Sequence, residues 1–138
     1  MDESGFLKRL SAAGLSAEQS AVKARMLADV TNTLLARGVS GDQMVYAFVP
    51  GRIEFLGKHT DYAGGRSLVC AVERGLCVAA APRTDHVVRV TDARRLDEVE
   101  FVLNAELIPA AGHWSNYPMT VASRIAKNFP GELRGADI

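Results

Sequence analysis

The sequence predicts an α+β fold, a mixed β-sheet with helices on one side, and three observations carry that expectation. Val22, Met26, Val30 and Leu34 recur every four residues, as on one face of a helix. The middle of the chain turns β-branched and alternating, with glycine and proline between the runs. A second amphipathic pattern returns between Trp114 and Phe129.

Taken in order, Phe6, Leu7 and Leu10 form a short apolar cluster that ends at Gly14 and suits a short helix. Ser16 and Gln19 have capping-box spacing, so the next helix starts there. Leu27 and Leu35 widen its stripe, Arg37 suits its C-terminus, and Gly38 supplies a left-handed residue beyond. The spacing predicts a helix over 17–37. Met44 to Val49 reads as one strand, Pro50-Gly51 as punctuation, and Arg52 to Leu56 as a second strand. Gly57 to Gly65 reads as a polar loop. Ser67 to Val72 and Leu76 to Ala81 read as strands separated by Glu73-Arg74-Gly75. His86 to Thr91 and Val99 to Leu103 suit a hairpin about the charged turn Asp92 to Asp97. In the last helix Ser115 is the expected cap, and Pro118 is tolerated in the first turn. Met119, Ala122, Ile125 and Phe129 mark its expected buried side, and Pro130-Gly131 ends it. Leu133 to Ile138 suits the start of a strand.

The chain has 138 residues, the size of one domain, and should bury roughly two-thirds of its unfolded surface. Apolar residues make up 48% and charged residues 23%, a globular balance. Lys plus Arg and Asp plus Glu number 16 each, and the resulting neutrality argues against a nucleic-acid or anionic-membrane partner. No apolar run reaches the roughly 18 residues a membrane span needs, and MDESGFLKRL lacks the order of a signal peptide. Cys70 and Cys77 make no disulfide framework and are expected as small buried residues on strands. A cytoplasmic protein with free thiols is the expectation.

Polar chemistry concentrates between Pro50 and Gly65, where Arg52, Glu54, Lys58, His59, Asp61 and Tyr62 stand among glycines. Glycines allow backbone shapes that other residues resist, and His and Asp can both hydrogen-bond sugar hydroxyls. Composition alone leaves a ligand loop and a solvated turn equally open. Gly57-Lys58 invites comparison with a P-loop, but the first glycine of that motif falls on Arg52 and its final Ser/Thr on His59, so it fails. His59 and Asp61, and Cys70 and Cys77, lack zinc spacing, and no metal is expected. His86 and His113 read as surface or locally bonded histidines. Arg89, Arg94 and Arg95 read as a mixed solvated surface with Asp92, Asp97 and Glu98. Pattern favours a core plug over a base-facing platform for Trp114, Asn116 and Tyr117.

Pro50 to Leu68, PGRIEFLGKHTDYAGGRSL, resembles the galactokinase signature of the GHMP kinases. Ala71-Val72-Glu73-Arg74-Gly75 resembles the family's next strand and turn. Trp114-Ser115-Asn116-Tyr117 and the helix after it resemble the family's W-x-N-Y helix. The likeness runs through most of the chain from Met44 onward. It implies a ribosomal-protein-S5-like N-terminal domain, incomplete at its C-terminus over residues 1–138. It implies transfer of the ATP γ-phosphate to the C1 hydroxyl of a sugar, usually α-D-galactose, with ATP and Mg²⁺ as the co-substrate complex. By the same resemblance Arg52 stabilises the transition state, where a fixed cation has the right sign. His59 and Asp61 bind sugar hydroxyls, Thr60 lies in the same loop, and Tyr62 and Gly65 shape it. Trp114 and Tyr117 match residues near the adenine pocket.

The chain departs from the family pattern twice. Lys58 stands where the family has Glu, which replaces a hydrogen-bond acceptor by a donor and reverses the charge. That swap raises a different sugar, such as a uronic acid, as an alternative. The Gly/Ser-rich phosphate loop and the catalytic Asp beyond it do not occur in these residues, so the chain alone is expected to be inactive or nearly so and to bind ATP-Mg²⁺ weakly. A non-catalytic sugar-binding or regulatory module is the other alternative. The end at Ile138 is expected to leave an unpaired sheet edge and exposed apolar surface.

Overall fold

A computed structural model describes residues 1–129 and 131–138, except for the side chain of residue 61. Helices α1 (Glu3–Ala12) and α2 (Ala17–Ala36) come first, followed by strands β1 (Val45–Leu56), β2 (Leu68–Pro82), β3 (Val87–Asp92) and β4 (Asp97–Val102). Helix α3 (Asn116–Asn128) and the two-residue β5 (Ala136–Asp137) complete the chain. The strands form one mixed sheet in the order β1-β2-β5-β3-β4. The α+β expectation therefore holds, as do both early helices and the β3–β4 hairpin. The chain divides into two compact units, 1–28 with 46–78, and 29–45 with 79–138.

In the first unit, α1 is capped by the Asp2 side chain, which accepts from the Gly5 N–H at 2.9 Å. Phe6 on its buried face meets Tyr46 of β1 edge-on, ring centroids 4.9 Å apart. Ser16 caps α2 by accepting from the Gln19 N–H, as the capping-box spacing predicts. The reciprocal half of the box is absent. Gln19 instead accepts from the Lys23 ammonium at 3.2 Å, and Glu73 of β2 takes both the Ser16 N–H and the Ser16 hydroxyl. A carboxylate at a helix N-terminus also meets the positive end of the dipole.

The buried stripe of α2 runs through Ser20, Lys23, Ala24, Leu27, Thr31 and Leu34, not through Val22, Met26 and Val30. Small side chains at 20 and 24 let the helix approach its neighbours closely. The Lys23 stem is buried with its ammonium 5.8 Å from the Phe48 ring centre.

Two predicted strand breaks are absent. β1 runs unbroken through Pro50-Gly51, because an edge strand has N–H groups outside the ladder and a proline there sacrifices none. β2 runs unbroken through Glu73-Arg74-Gly75. A Cβ on Gly75 would strike the Val49 carbonyl and lie 2.9 Å from Pro50 Cα, so this glycine allows two strands to approach rather than turning one. Close approaches of Gly75 to Val49, Gly51 to Arg74, and Gly57 to Arg66 rise along one strand as they fall along the other, which makes β1–β2 an antiparallel hairpin. Cys70 on β2 is exposed, against expectation, while Cys77 is half-buried with its thiol near the Lys23 carbonyl. Burial pushes the Cys77 thiol pKa up, partly opposed by the Lys23 charge.

In the second unit, β3 and β4 pair from Val87↔Val102 to Asp92↔Asp97. Val88 and Phe101 alternate inward and pack against Ala122 of α3, with Val90, Met119 and Ile138 around them. α3 buries Ala122 and Ser123, whose hydroxyl donates to the Ala105 carbonyl at 3.2 Å. Ile125 and Phe129, expected on the buried side, are exposed. Ser115 makes no side-chain cap, because its hydroxyl is held by His113 Nδ1 at 2.8 Å. Pro130 lies outside the described residues.

β5 enters the interior of the sheet, parallel to β3 and antiparallel to β2, so the strand beside Ile138 is not at an edge. Its buried Asp137 lies between Arg83, at 3.1 and 3.2 Å, and Arg89, at 3.5 Å. Two guanidinium groups from the flanking segments thus balance one carboxylate on a strand too short to hold by its ladder alone.

Arg83 also bonds Asp85 at 2.7 and 2.8 Å, which holds the Asp85 carboxyl well below the usual carboxylate range. Between that lowered value and the ordinary value of about 4, the unfolded chain binds more protons than the folded one. Stability from this pair is therefore complete above about pH 4 and declines as the pH falls through that window. Asp85→Asn is expected to flatten the acid limb of a urea-monitored stability–pH curve. An acid limb as steep as wild type would contradict this assignment.

Candidate functional site

The β1–β2 hairpin positions the polar loop. Arg52 and Glu54 are two apart on β1 and share one face, while Ile53 and Phe55 occupy the other. All four are exposed. Among the described residues Arg52 and Lys58 have no ion-pair partner.

From Gly57 to Ser67 the backbone folds onto itself. The Thr60 N–H donates to the Gly57 carbonyl at 3.0 Å, and the Ala63 and Gly65 N–H groups donate to the Thr60 carbonyl at 3.0 and 2.8 Å. The Thr60 hydroxyl lies 2.7 Å from the Gly57 carbonyl and 3.2 Å from the Arg66 carbonyl. Its single proton goes to one of two acceptors on opposite sides of the loop mouth, so Thr60 clasps the loop. Gly57 has φ +91°, and a Cβ there would strike the Arg66 carbonyl and lie 2.8 Å from Ser67 Cα. Both constraints select glycine.

His59 takes a left-handed φ of 68°. That conformation costs a residue with a Cβ about 1–2 kcal/mol. A one-turn 3₁₀ helix, Asp61–Ala63, follows and brings Tyr62 beside it. The two rings stack with centroids 5.7 Å apart and planes 23° from parallel, an arrangement worth about 0.5–1.5 kcal/mol. The stack thus offsets much of the strain. Lys58, His59, Thr60, Tyr62 and Gly65 are brought together on one exposed loop. The Asp61 side chain lies outside the described residues.

In the other unit, Trp114 is half-buried and its indole N–H donates to Asp97 at 2.7 Å. That bond ties it to the start of β4. Tyr117 is 77% exposed. His86 donates to the Leu133 carbonyl at 2.8 Å, and His113 Nδ1 accepts from the Ser115 N–H at 3.3 Å, so both are locally bonded as expected. Arg89 pairs with Glu100 at 2.7 Å. No helix among the described residues is long and apolar enough to cross a membrane. Two structural features escaped the sequence reading: the Thr60 clasp and the Arg83–Asp137–Arg89 cluster.

The family model for the galactokinase galactose-binding signature matches residues 37–82. A galactokinase from Haemophilus influenzae (strain PittEE) is 36% identical over 95 residues, covering 68% of this chain and 24% of the relative. One from Chloroflexus aggregans is 40% identical over 93 residues, covering 67% and 23%. The crystal structure of Lactococcus lactis galactokinase complexed with galactose matches with a TM-score of 0.66 and 26% identity, over 80% of this chain and 29% of that one. The chain is similar to the galactokinases over these spans, and its residues 37–82 match their galactose-binding signature. It spans about a quarter of the length of those curated relatives.

Proposed function

We propose that this chain is the sugar-binding part of a galactokinase-type phosphotransferase, acting in the conversion of ATP and α-D-galactose to α-D-galactose 1-phosphate and ADP. The observation that carries this is the clasped loop Gly57 to Gly65, within the stretch matched by the galactose-binding signature. His59 and Asp61 bind sugar hydroxyls, Lys58 borders the sugar, and Thr60, Tyr62 and Gly65 hold the loop in shape. Arg52, on the strand leading into the loop, offers a guanidinium without an ion-pair partner among the described residues for the charge that develops on a transferring phosphoryl group. Trp114 and Tyr117 border the adenine of ATP, which is bound as its Mg²⁺ complex. The residues present supply the sugar site and a cation but no phosphate-cradling loop, so these 138 residues alone bind sugar and do not transfer phosphate.

Titration calorimetry of the chain with galactose and with ATP-Mg²⁺, beside a coupled kinase assay, tests this. Saturable galactose binding without turnover is the expected result. Absence of galactose binding contradicts the reading.

Lys58 supports a second reading, in which the sugar carries a carboxylate. The residue is an exposed ammonium without an ion-pair partner among the described residues. On that reading Lys58→Glu weakens galacturonate binding about tenfold relative to galactose. An unchanged preference profile removes it.

A further inference from the structure

We infer that Tyr62 is a positioning residue for the sugar loop, setting through its stack on His59 the direction in which that imidazole meets a bound sugar. The inference rests on the proposal that this loop binds a sugar. His59 occupies a backbone conformation that residues with a Cβ disfavour. The hydrogen bonds that close the loop run through the backbone of Gly57, Thr60, Ala63 and Gly65 and through the Thr60 hydroxyl. Among the described residues none of them reaches the His59 ring. Among the described residues the contact to the imidazole is the ring of Tyr62, three residues later, with planes 23° from parallel at 5.7 Å. Tyr62 is itself 83% exposed, so its ring serves no core. The left-handed turn at His59, followed by the 3₁₀ turn at Asp61–Ala63, folds the chain back so that the two rings meet.

An aromatic plane shields one face of the imidazole and leaves its edge free. Nitrogens at that edge can donate to or accept from a hydroxyl. Removing the plane frees the ring to rotate, and the sugar must then order it on binding. The Tyr62 hydroxyl has no part in this, so phenylalanine should replace tyrosine without loss.

The test uses the whole chain and three proteins: wild type, Tyr62→Phe and Tyr62→Leu. Two-dimensional NMR reads the His59 ring protons without sugar, and a galactose titration follows. Tyr62→Leu is expected to move the His59 ring resonances to unshielded positions and weaken galactose binding about tenfold, with a melting temperature lowered by only a few degrees. Tyr62→Phe is expected to keep both properties. His59 resonances that do not move in Tyr62→Leu would overturn the inference even if no form of the chain bound galactose, an outcome that would separately defeat the sugar-binding proposal. Affinity equal to wild type in Tyr62→Leu, or lost equally in Tyr62→Phe, would also overturn it.

Discussion

Gly135→Ala is expected to be among the most destabilising single substitutions in this chain, lowering unfolding free energy by about 3 kcal/mol. Gly135 immediately precedes β5, and a Cβ there would strike the backbone carbonyl of Val87 and lie 2.7 Å from its nitrogen. Backbone cannot step aside as a flexible side chain can. The glycine N–H donates to the Asp85 carbonyl at 2.7 Å, and its carbonyl accepts from the Arg83 N–H at 3.0 Å. Moving Gly135 away from Val87 stretches both bonds and drags Asp137 from between Arg83 and Arg89. A buried carboxylate would then lose its cations. Urea unfolding measures the effect. A midpoint equal to wild type would show that β5 is not held by this close approach.

Gly57→Ala is the substitution expected to harm sugar binding most while sparing the rest of the chain. Its effect combines a left-handed φ with the collision against Arg66. The loop must open at its mouth, so the Thr60 hydroxyl loses one of its two acceptors. His59 and Tyr62 then lose the fixed backbone that holds their rings against each other. Galactose affinity is expected to fall about a hundredfold, with α1, α2 and the β3–β4 hairpin unaffected in their amide spectra. Wild-type affinity in Gly57→Ala would mean that the sugar does not meet the closed loop.

Much of this was legible in the sequence because the signals were local. The β3–β4 hairpin is visible in the alternation of Val88, Val90, Val99 and Phe101 about a charged turn. The loop is visible in its glycines and polar residues, and Pro50 to Leu68, which resembles the galactokinase signature, lies within the matched stretch 37–82. The failures concern properties that only a partner segment decides. Pro50 reads as a break until β1 is known to be an edge strand. Gly75 reads as a turn until Val49 is found against it. The burial of Lys23 depends on Phe48 and Gln19, which hydropathy alone does not bring to it. Ile125 and Phe129 continue the helical period of α3 but are exposed, so periodicity alone misplaced them. The Thr60 clasp was hidden because a threonine in a polar loop reads equally well as a ligand contact.

Galactose titration followed by two-dimensional NMR of the whole chain tests the central claim most directly. Saturable shifts confined to the amides and side chains of the 52–65 segment are predicted, with β3, β4 and α3 unmoved. No shift at saturating galactose, or shifts scattered over both units, would contradict the assignment of this loop as the sugar site.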